Sequence, residues 1–254
     1  MSAHHVRCER RGSVAVLRLD RPPANALELE IGRQTGAALD QVLATDAAAI
    51  VVTGTGGFFS AGLDLKVIPS YGADEQRAMI ATANELLGKL YQCPLPVVAG
   101  INGHAIAGGL VLALACDYRV GARGACKLGL TEARAGIPFP AVAMAIVQAE
   151  LTGPAARILT LQARNLDPER ALVLGVVDEL EPPDEVLARA VAVAEDLGTI
   201  PRDAYRRIKQ QLRASVIARI REVVATGTDP MLASWFGPET ASAAHGVLLS
   251  ERGT

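Results

Sequence analysis

Three short segments carry residue types that can do chemistry together. Phe59-Ser60-Ala61-Gly62-Leu63-Asp64-Leu65 and Asn102-Gly103-His104-Ala105-Ile106-Ala107-Gly108-Gly109-Leu110 each place glycine in a turn after an apolar strand. Glycines ahead of a buried helix let backbone approach a ligand and leave N–H groups at the helix start unpaired. Two such turns can aim two N–H donors at one oxygen. The third segment, Lys127 to Pro138, sets one carboxylate, Glu132, between apolar residues and a Gly-Ile-Pro turn. A carboxyl group in that setting is a candidate base with a pKa raised by desolvation. The competing interpretation of Glu132 is a solvated carboxylate, or an ion-pair partner of Arg134 or Lys127. For Gly108 and Gly109 it is a tight turn with close packing, which is compatible with donor duty. Asp64 and Asp117, also near these segments, read as helix-cap or turn residues.

Other chemistries lose their support on spacing. Gly54-Thr55-Gly56-Gly57-Phe58-Phe59 follows a strand as a dinucleotide fingerprint would, but the third glycine position is Phe59. No GxxxxGK[ST] phosphate loop occurs, and Ser60 lacks the upstream glycine of a nucleophile elbow. His4, His5, His104 and His245 form no HExxH pattern and no Cys/His pair at metal spacing, so no catalytic metal is expected. His4 and His5 are assigned to a frayed terminus, and His104 to the polar turn, where it either lines a site or is held by a hydrogen bond.

The elements that must position these residues alternate β with α. Ser13–Asp20 alternates as a strand, and Leu27, Ile31, Ala38, Val42 and Leu43 recur at helical spacing. Ile50–Thr53 is an apolar strand, Ile80, Ala83, Leu87, Leu90 and Tyr91 mark a second amphipathic helix, and Pro96–Ile101 returns as a strand. Leu110–Ala115 is apolar on all sides, hence a buried helix, with a strand near Tyr118–Val120. This pattern predicts an α/β fold with a largely parallel sheet. From Pro138 onward the chain reads mainly helical, with Asp167 as an N-cap, Pro154 and Pro168 in first turns, and one strand at Val176–Leu180. The stretch from Leu95 to Cys116 is long and nearly uncharged, but Pro96, Gly100, Asn102, Gly103, His104, Gly108 and Gly109 break it, so no membrane span is expected.

Composition agrees. The chain has 254 residues, half of them hydrophobic, with a formal net charge of −2, which excludes disorder and offers no overall basic field for nucleic acid or anionic lipid. Arg202, Arg206, Arg207, Lys209, Arg213, Arg219 and Arg221 form a local basic cluster, either a solvated helix face or a surface for ligand phosphates. Cys8, Cys93, Cys116 and Cys126 show no CxxC pair and read as buried free thiols of a reducing compartment. The first residues show no export or transit signal, which fits a bacterial cytoplasm or a mature mitochondrial-matrix chain.

In order and spacing, SAGLDL, ING…AGG, ACDYR and GLTE…GI resemble the crotonase (enoyl-CoA hydratase/isomerase) superfamily over roughly residues 12 to 215. RPPANAL, LYQ at Leu90-Tyr91-Gln92, AGGLVLALACDYR and GLTEARAGI are most similar to the mitochondrial-type Δ3,Δ2-enoyl-CoA isomerases. The resemblance implies a spiral of ββα units over residues 1–195, a helical trimerisation region over 196–254, and a homotrimer or dimer of trimers. It implies an acyl-CoA thioester substrate whose carbonyl is held by the backbone N–H groups of Leu63 and Gly108, with Gly109 as the neighbouring alternative. Ala61, Gly62, Leu63, Asp64 and Leu65 would border coenzyme A.

Hydratases of this superfamily carry two glutamates. The first position is Val111 here, and the second is Glu132. Hydration needs one group to activate water and another to manage the proton, whereas a 1,3-proton shift needs only one base. The resemblance therefore implies an isomerase of fatty-acid β-oxidation, with ionised Glu132 moving a proton from C2 to C4. No cofactor is expected, because the thioester is the electron sink. The alternatives are a hydratase or a relative acting on branched or aromatic acyl groups, and a non-catalytic acyl-CoA-binding protein.

Overall fold

The computed structural model describes residues 4–227 and Asp229. The chain opens with strands β1 (Val6–Arg11) and β2 (Val14–Leu19), an antiparallel hairpin, and then helix α1 (Leu29–Leu43). Three turns of a spiral follow. The first is β3 (Ala49–Thr53), β4 (Phe58–Ser60) and α2 (Ala73–Tyr91); the second is β5 (Val97–Ile101), β6 (His104–Ile106) and α3 (Gly108–Leu114); the third begins with β7 (Tyr118–Ala122) and β8 (Leu128–Gly129). Each turn gives its first strand to one sheet and its second to another. The large sheet has the order β1-β2-β3-β5-β7-β10 and the small one β4-β6-β8-β9, with β9 at Asn165–Leu166 and β10 at Glu179–Glu181. The spiral strands pair in parallel within both sheets.

Parallel strands covered on both faces must be apolar on both, and these are. Leu17, Ile50, Val52, Val97 and Ala99 pack in the main core on one face. Val14, Val16, Val51 and Val98 pack on the other against Val186, Ala190 and Ala194 of α7 (Val186–Gly198). Before α7 come α4 (Ala141–Glu150), α5 (Gly153–Ala156) and α6 (Pro168–Val173), and after it α8 (Arg202–Leu212) and α9 (Ala214–Thr226). α9 returns to pack on α2 and α4. No helix among the described residues is long and apolar enough to cross a membrane.

The expected strands and helices that carry apolar periodicity are present, including the fully buried α3. Differences fall where periodicity is weak. β1 was not expected, because five of its six residues are exposed and it therefore lacks the alternation that marks a half-buried strand. β4, β6, β8 and β9 are two or three residues long, too short to show a period. The expected strand at 176–180 starts later, at Glu179, because Val176 N–H donates to Ala171 O in the turn that ends α6. Asp167 caps α6 by accepting from Arg170 N–H at 2.7 Å, with Pro168 in the first turn. Pro154 occupies the first turn of α5. The expected boundary after residue 195 cuts α7, a helix packed on β3 and β5. Residue 228 and residues 230–254, including His245, lie outside the described residues.

Candidate active site

The first donor turn is built by the segment before α1. Ala61 N–H donates to Ala24 O at 3.0 Å, Leu27 N–H to Gly62 O at 2.6 Å, and Asp64 N–H to Leu27 O at 2.8 Å. Ser60 Oγ donates to Asn25 O and accepts from Gly62 N–H. Leu27 thus binds the residues on either side of Leu63, so the Leu63 amide faces away from it. That amide has no acceptor among the described residues. Gly62 sits at φ +77°, and a Cβ there would lie 2.7 Å from Ile106 O and 2.9 Å from Gly108 N. Only glycine fits so tight a crossing.

The second turn lies against the first. Ala107 adopts φ 51°, a left-handed conformation for a non-glycine residue, while its N–H donates to Gly129 O and its carbonyl accepts from Leu110 and Val111 N–H. α3 starts immediately afterwards, so the amide of Gly108 belongs to the unsatisfied first turn of a helix and has no acceptor among the described residues. A Cβ on Gly109 would stand 2.2 Å from Ser60 O. Gly109 is therefore buried against β4, and Gly108 is the residue that reaches the cavity beside Leu63.

Glu132 opens a 3-10 turn, Glu132–Ala135, after β8; Gly136 at φ 65° ends that turn and Ile137 N–H donates to Glu132 O. The residue is only 6% exposed, and its Oε2 has no hydrogen-bond partner. Burial pushes the carboxyl up to about 8, partly opposed by its own backbone N–H. Burial therefore favours the protonated form of Glu132 at neutral pH, where the sequence implied the carboxylate. Neither suggested ion-pair partner reaches it. Arg134 donates to Ala163 O at 2.7 Å and Gln162 O at 3.3 Å, and Lys127 meets the site through its backbone N–H on His104 Nδ1.

Two cavities meet at this carboxyl group. A small one of about 60 Å³ is apolar, with Met79, Leu87, Val111 and Phe139 in its wall, and Gly108 lines it. A wider one of about 370 Å³ carries His104, Lys127, Arg134 and Asn165. Leu63, Glu132 and Ile137 line both. Among the described residues, Glu132 is the sole acidic one in either wall. Position 111, where a second carboxylate would stand in a hydratase, presents a buried valine side chain. Ala61 and Leu65 line the wider cavity, whereas Gly62 is buried beneath it.

Other sequence expectations need correction. Asp64 accepts from Lys66 N–H as a turn residue but also pairs with Arg21 at 2.7 Å. Asp117 lies in the bend between α3 and β7 as a turn residue would, but its side chain is an ion-pair hub: it binds Lys209 Nζ at 2.7 Å, Arg213 Nη1 at 2.9 Å and Val97 N–H at 2.8 Å. Two members of the basic cluster are therefore buried structural cations, not a solvated face or a phosphate surface. Arg206 and Arg219 pair with Asp203 and Glu222 on their own helices. Cys93 and Cys116 are buried thiols as expected, but Cys8 is exposed and Cys126 half-buried. His5 is tied down through Gln34 and Asp20, so it is not frayed. His104 belongs to β6 and stacks on Phe58 with ring centroids 4.7 Å apart. Phe139, Pro140 and Ala143 line the apolar cavity with Met79, Thr82, Ala83, Leu86 and Leu87 of α2, none of which the sequence singled out as a site residue. The apolar periodicity of α2 was their sequence signal.

Comparison with known proteins agrees with this geometry. The sequence profile described as enoyl-CoA hydratase/isomerase matches residues 9–241. A Mycobacterium avium protein named probable enoyl-CoA hydratase echA17 is 33% identical over 201 residues, 79% of this chain and 78% of the relative. The apo Mycobacterium tuberculosis enoyl-CoA isomerase is 31% identical with a TM-score of 0.83, covering 92% of this chain and 99% of that one. The human mitochondrial Δ3,Δ2-enoyl-CoA isomerase is 27% identical with a TM-score of 0.90 over 98% of both chains. With two glycine turns and a buried glutamate lining one cavity on a spiral of β and α elements, this chain belongs to the enoyl-CoA hydratase/isomerase family.

Proposed function

We propose that the protein is a Δ3,Δ2-enoyl-CoA isomerase. The observation that carries this is the single carboxyl group in the walls of the two cavities, with Val111 filling the other position. Names among the relatives do not decide between reactions, since one M. tuberculosis protein is described both as an enoyl-CoA isomerase and as a probable enoyl-CoA hydratase. The chemistry of the site supports the isomerase reading. The acyl part of a 3-enoyl thioester enters the apolar cavity, and the coenzyme A part leaves through the wider, more polar one. Its carbonyl oxygen accepts from the N–H groups of Leu63 and Gly108. Glu132 as carboxylate takes a proton from C2, the electron pair moves onto the thioester oxygen as a dienolate, and the two amides stabilise the charge that develops there. The protonated Glu132 then delivers the same proton to C4, leaving the double bond between C2 and C3. Charge and protons balance without a cofactor.

A resting pKa near the working pH suits a group that must both take and return a proton. Hydration would need a second group to handle the water, and Val111 supplies none. A homotrimer or dimer of trimers belongs to the same proposal, and Ile208 and Leu212, large apolar side chains exposed on α8, are candidates for burial in it. The test is incubation with 3-hexenoyl-CoA while following the conjugated 2-enoyl thioester, beside a hydration assay with 2-hexenoyl-CoA. Rapid isomerisation with little hydration is expected. Hydration faster than isomerisation would overturn the assignment.

A further inference from the structure

The apolar cavity beside Glu132 has room for only a few carbons. Its wall is thin in one place, where α1 passes α2. There Gly32, Thr82 and Leu86 line the cavity, and the same three residues line a groove of about 460 Å³ on the outer surface between the two helices. A Cβ built on Gly32 would lie 2.9 Å from Thr82 Cγ2, so a single threonine methyl group stands against bare backbone. Threonine has two accessible χ1 rotamers in a helix, so this methyl group can swing without moving either helix. Beyond it the groove is lined by the small residues Gly36 and Ala37 from α1 and Ala78 and Ala81 from α2, with the long charged side chains of Arg33, Asp40, Glu85 and Lys89 also in its wall. A Cβ on Gly36 would meet nothing within 4 Å. An ion pair from Lys89 to Asp40, 2.6 Å long, joins the two helices at the groove's rim.

Small residues between helices do not make a site by themselves. What points to a ligand is continuity with a cavity that holds a buried, unpartnered carboxyl oxygen, Glu132 Oε2. We propose that the ω-end of a long acyl chain passes between Gly32 and Thr82 and lies in the groove between α1 and α2, so that the protein accepts long-chain acyl-CoA thioesters. This inference rests on assigning the Glu132 cavity to the acyl group. It makes Gly32 and Thr82 a gate for chain length, with Gly36 and Ala81 beyond it. The chain crosses from an apolar cavity to a groove where Gly36, Ala37, Ala78 and Ala81 leave room for it, and where the aliphatic stems of Arg33 and Lys89 can cover it from water.

The experiment uses hexanoyl-CoA and hexadecanoyl-CoA, saturated thioesters that bind without reacting, with binding measured by calorimetry at concentrations below micelle formation. Gly36→Leu places a bulky side chain in open space and a better helix former in α1. Ala81→Leu does the same from the exposed side of α2. Thermal unfolding checks that both variants fold. The wild type should bind the long thioester at least about tenfold more tightly than the short one, and each substitution should lower that ratio by about tenfold. A wild-type ratio near unity, or a ratio that neither variant changes, overturns the exit. A kinetic arm separates this inference from the reaction assignment, using kcat/KM for 3-hexadecenoyl-CoA over 3-hexenoyl-CoA. If the binding ratio responds but neither thioester isomerises, the reaction assignment fails and the exit stands. If both isomerise and the binding ratio is unmoved, the exit fails and the reaction stands.

Discussion

Asp117 and Glu132 are both carboxylates whose side chains are largely hidden from solvent, and their surroundings differ in whether the charge is paired. Asp117, at the end of α3, is held by Lys209, Arg213 and the Val97 amide, and Arg213 goes on to Glu150 and stacks over the Tyr91 ring at 3.9 Å. Glu132 has apolar side chains around it and one oxygen without any partner. A paired buried charge holds elements in register: here it ties α8 and α9 to the strand segment at 95–97. An unpaired one costs stability, which is tolerated where the group has chemistry to do. Burial alone therefore does not mark the active residue; burial without a partner does.

Substitutions should separate the two carboxylates cleanly. Glu132→Gln keeps the shape but removes the base, and isomerase kcat should fall by about two to four orders of magnitude in a steady-state assay. A variant retaining most of its activity would move the base elsewhere. Asp117→Ala should do the opposite, leaving Lys209 and Arg213 buried without their carboxylate and costing about 3–5 kcal/mol of stability in denaturant unfolding. Activity per folded molecule should survive it. If activity collapses while stability holds, the contrast between the two sites is wrong.

The smaller effects are in pH. Because the active form of Glu132 is the carboxylate and burial holds its pKa near 8, kcat/KM should climb about tenfold per pH unit below that value and level off above it. A profile flat from about pH 6 upward would show that the carboxyl ionises normally. Stability should run the other way. The folded-state pKa is raised from 4.5 to about 8, so the stability that Glu132 allows is complete below 4.5 and is lost as pH rises toward 8. Glu132→Gln should therefore leave Tm almost unchanged near pH 4.5 and raise it by several degrees near pH 8. A substitution that lowers Tm at the higher pH would mean that Glu132 has a partner after all.

Much of the framework was legible from residues alone, and the reasons are local. The apolar strands at 50–53 and 97–101 and the buried helix after Gly109 follow from periodicity, which reports burial directly. Gly62 and Gly109 were legible as turn glycines because a left-handed φ at the first and a close backbone crossing at both restrict the residue type at one position. The short strands of the second sheet were not, because two or three residues contain no period. The ion pairs of Asp117 were not legible for a related reason: its cations lie on helices about ninety residues away, beyond any local pattern.

The sequence by itself determined the α/β alternation, the two glycine turns, the lone carboxylate at 132 and the valine at 111. Those features depend on neighbours a few residues apart, where backbone sterics and side-chain period act. Tertiary structure alone decided that Glu132 has no ion pair with Lys127 or Arg134, that Gly108 and not Gly109 reaches the cavity, and that α2 walls the apolar side. Each of these depends on which distant groups share a small volume, and that is set by packing of the whole chain. A carboxyl pKa is the sum of such neighbours, so the property that makes Glu132 suited to catalysis exists only in the folded molecule.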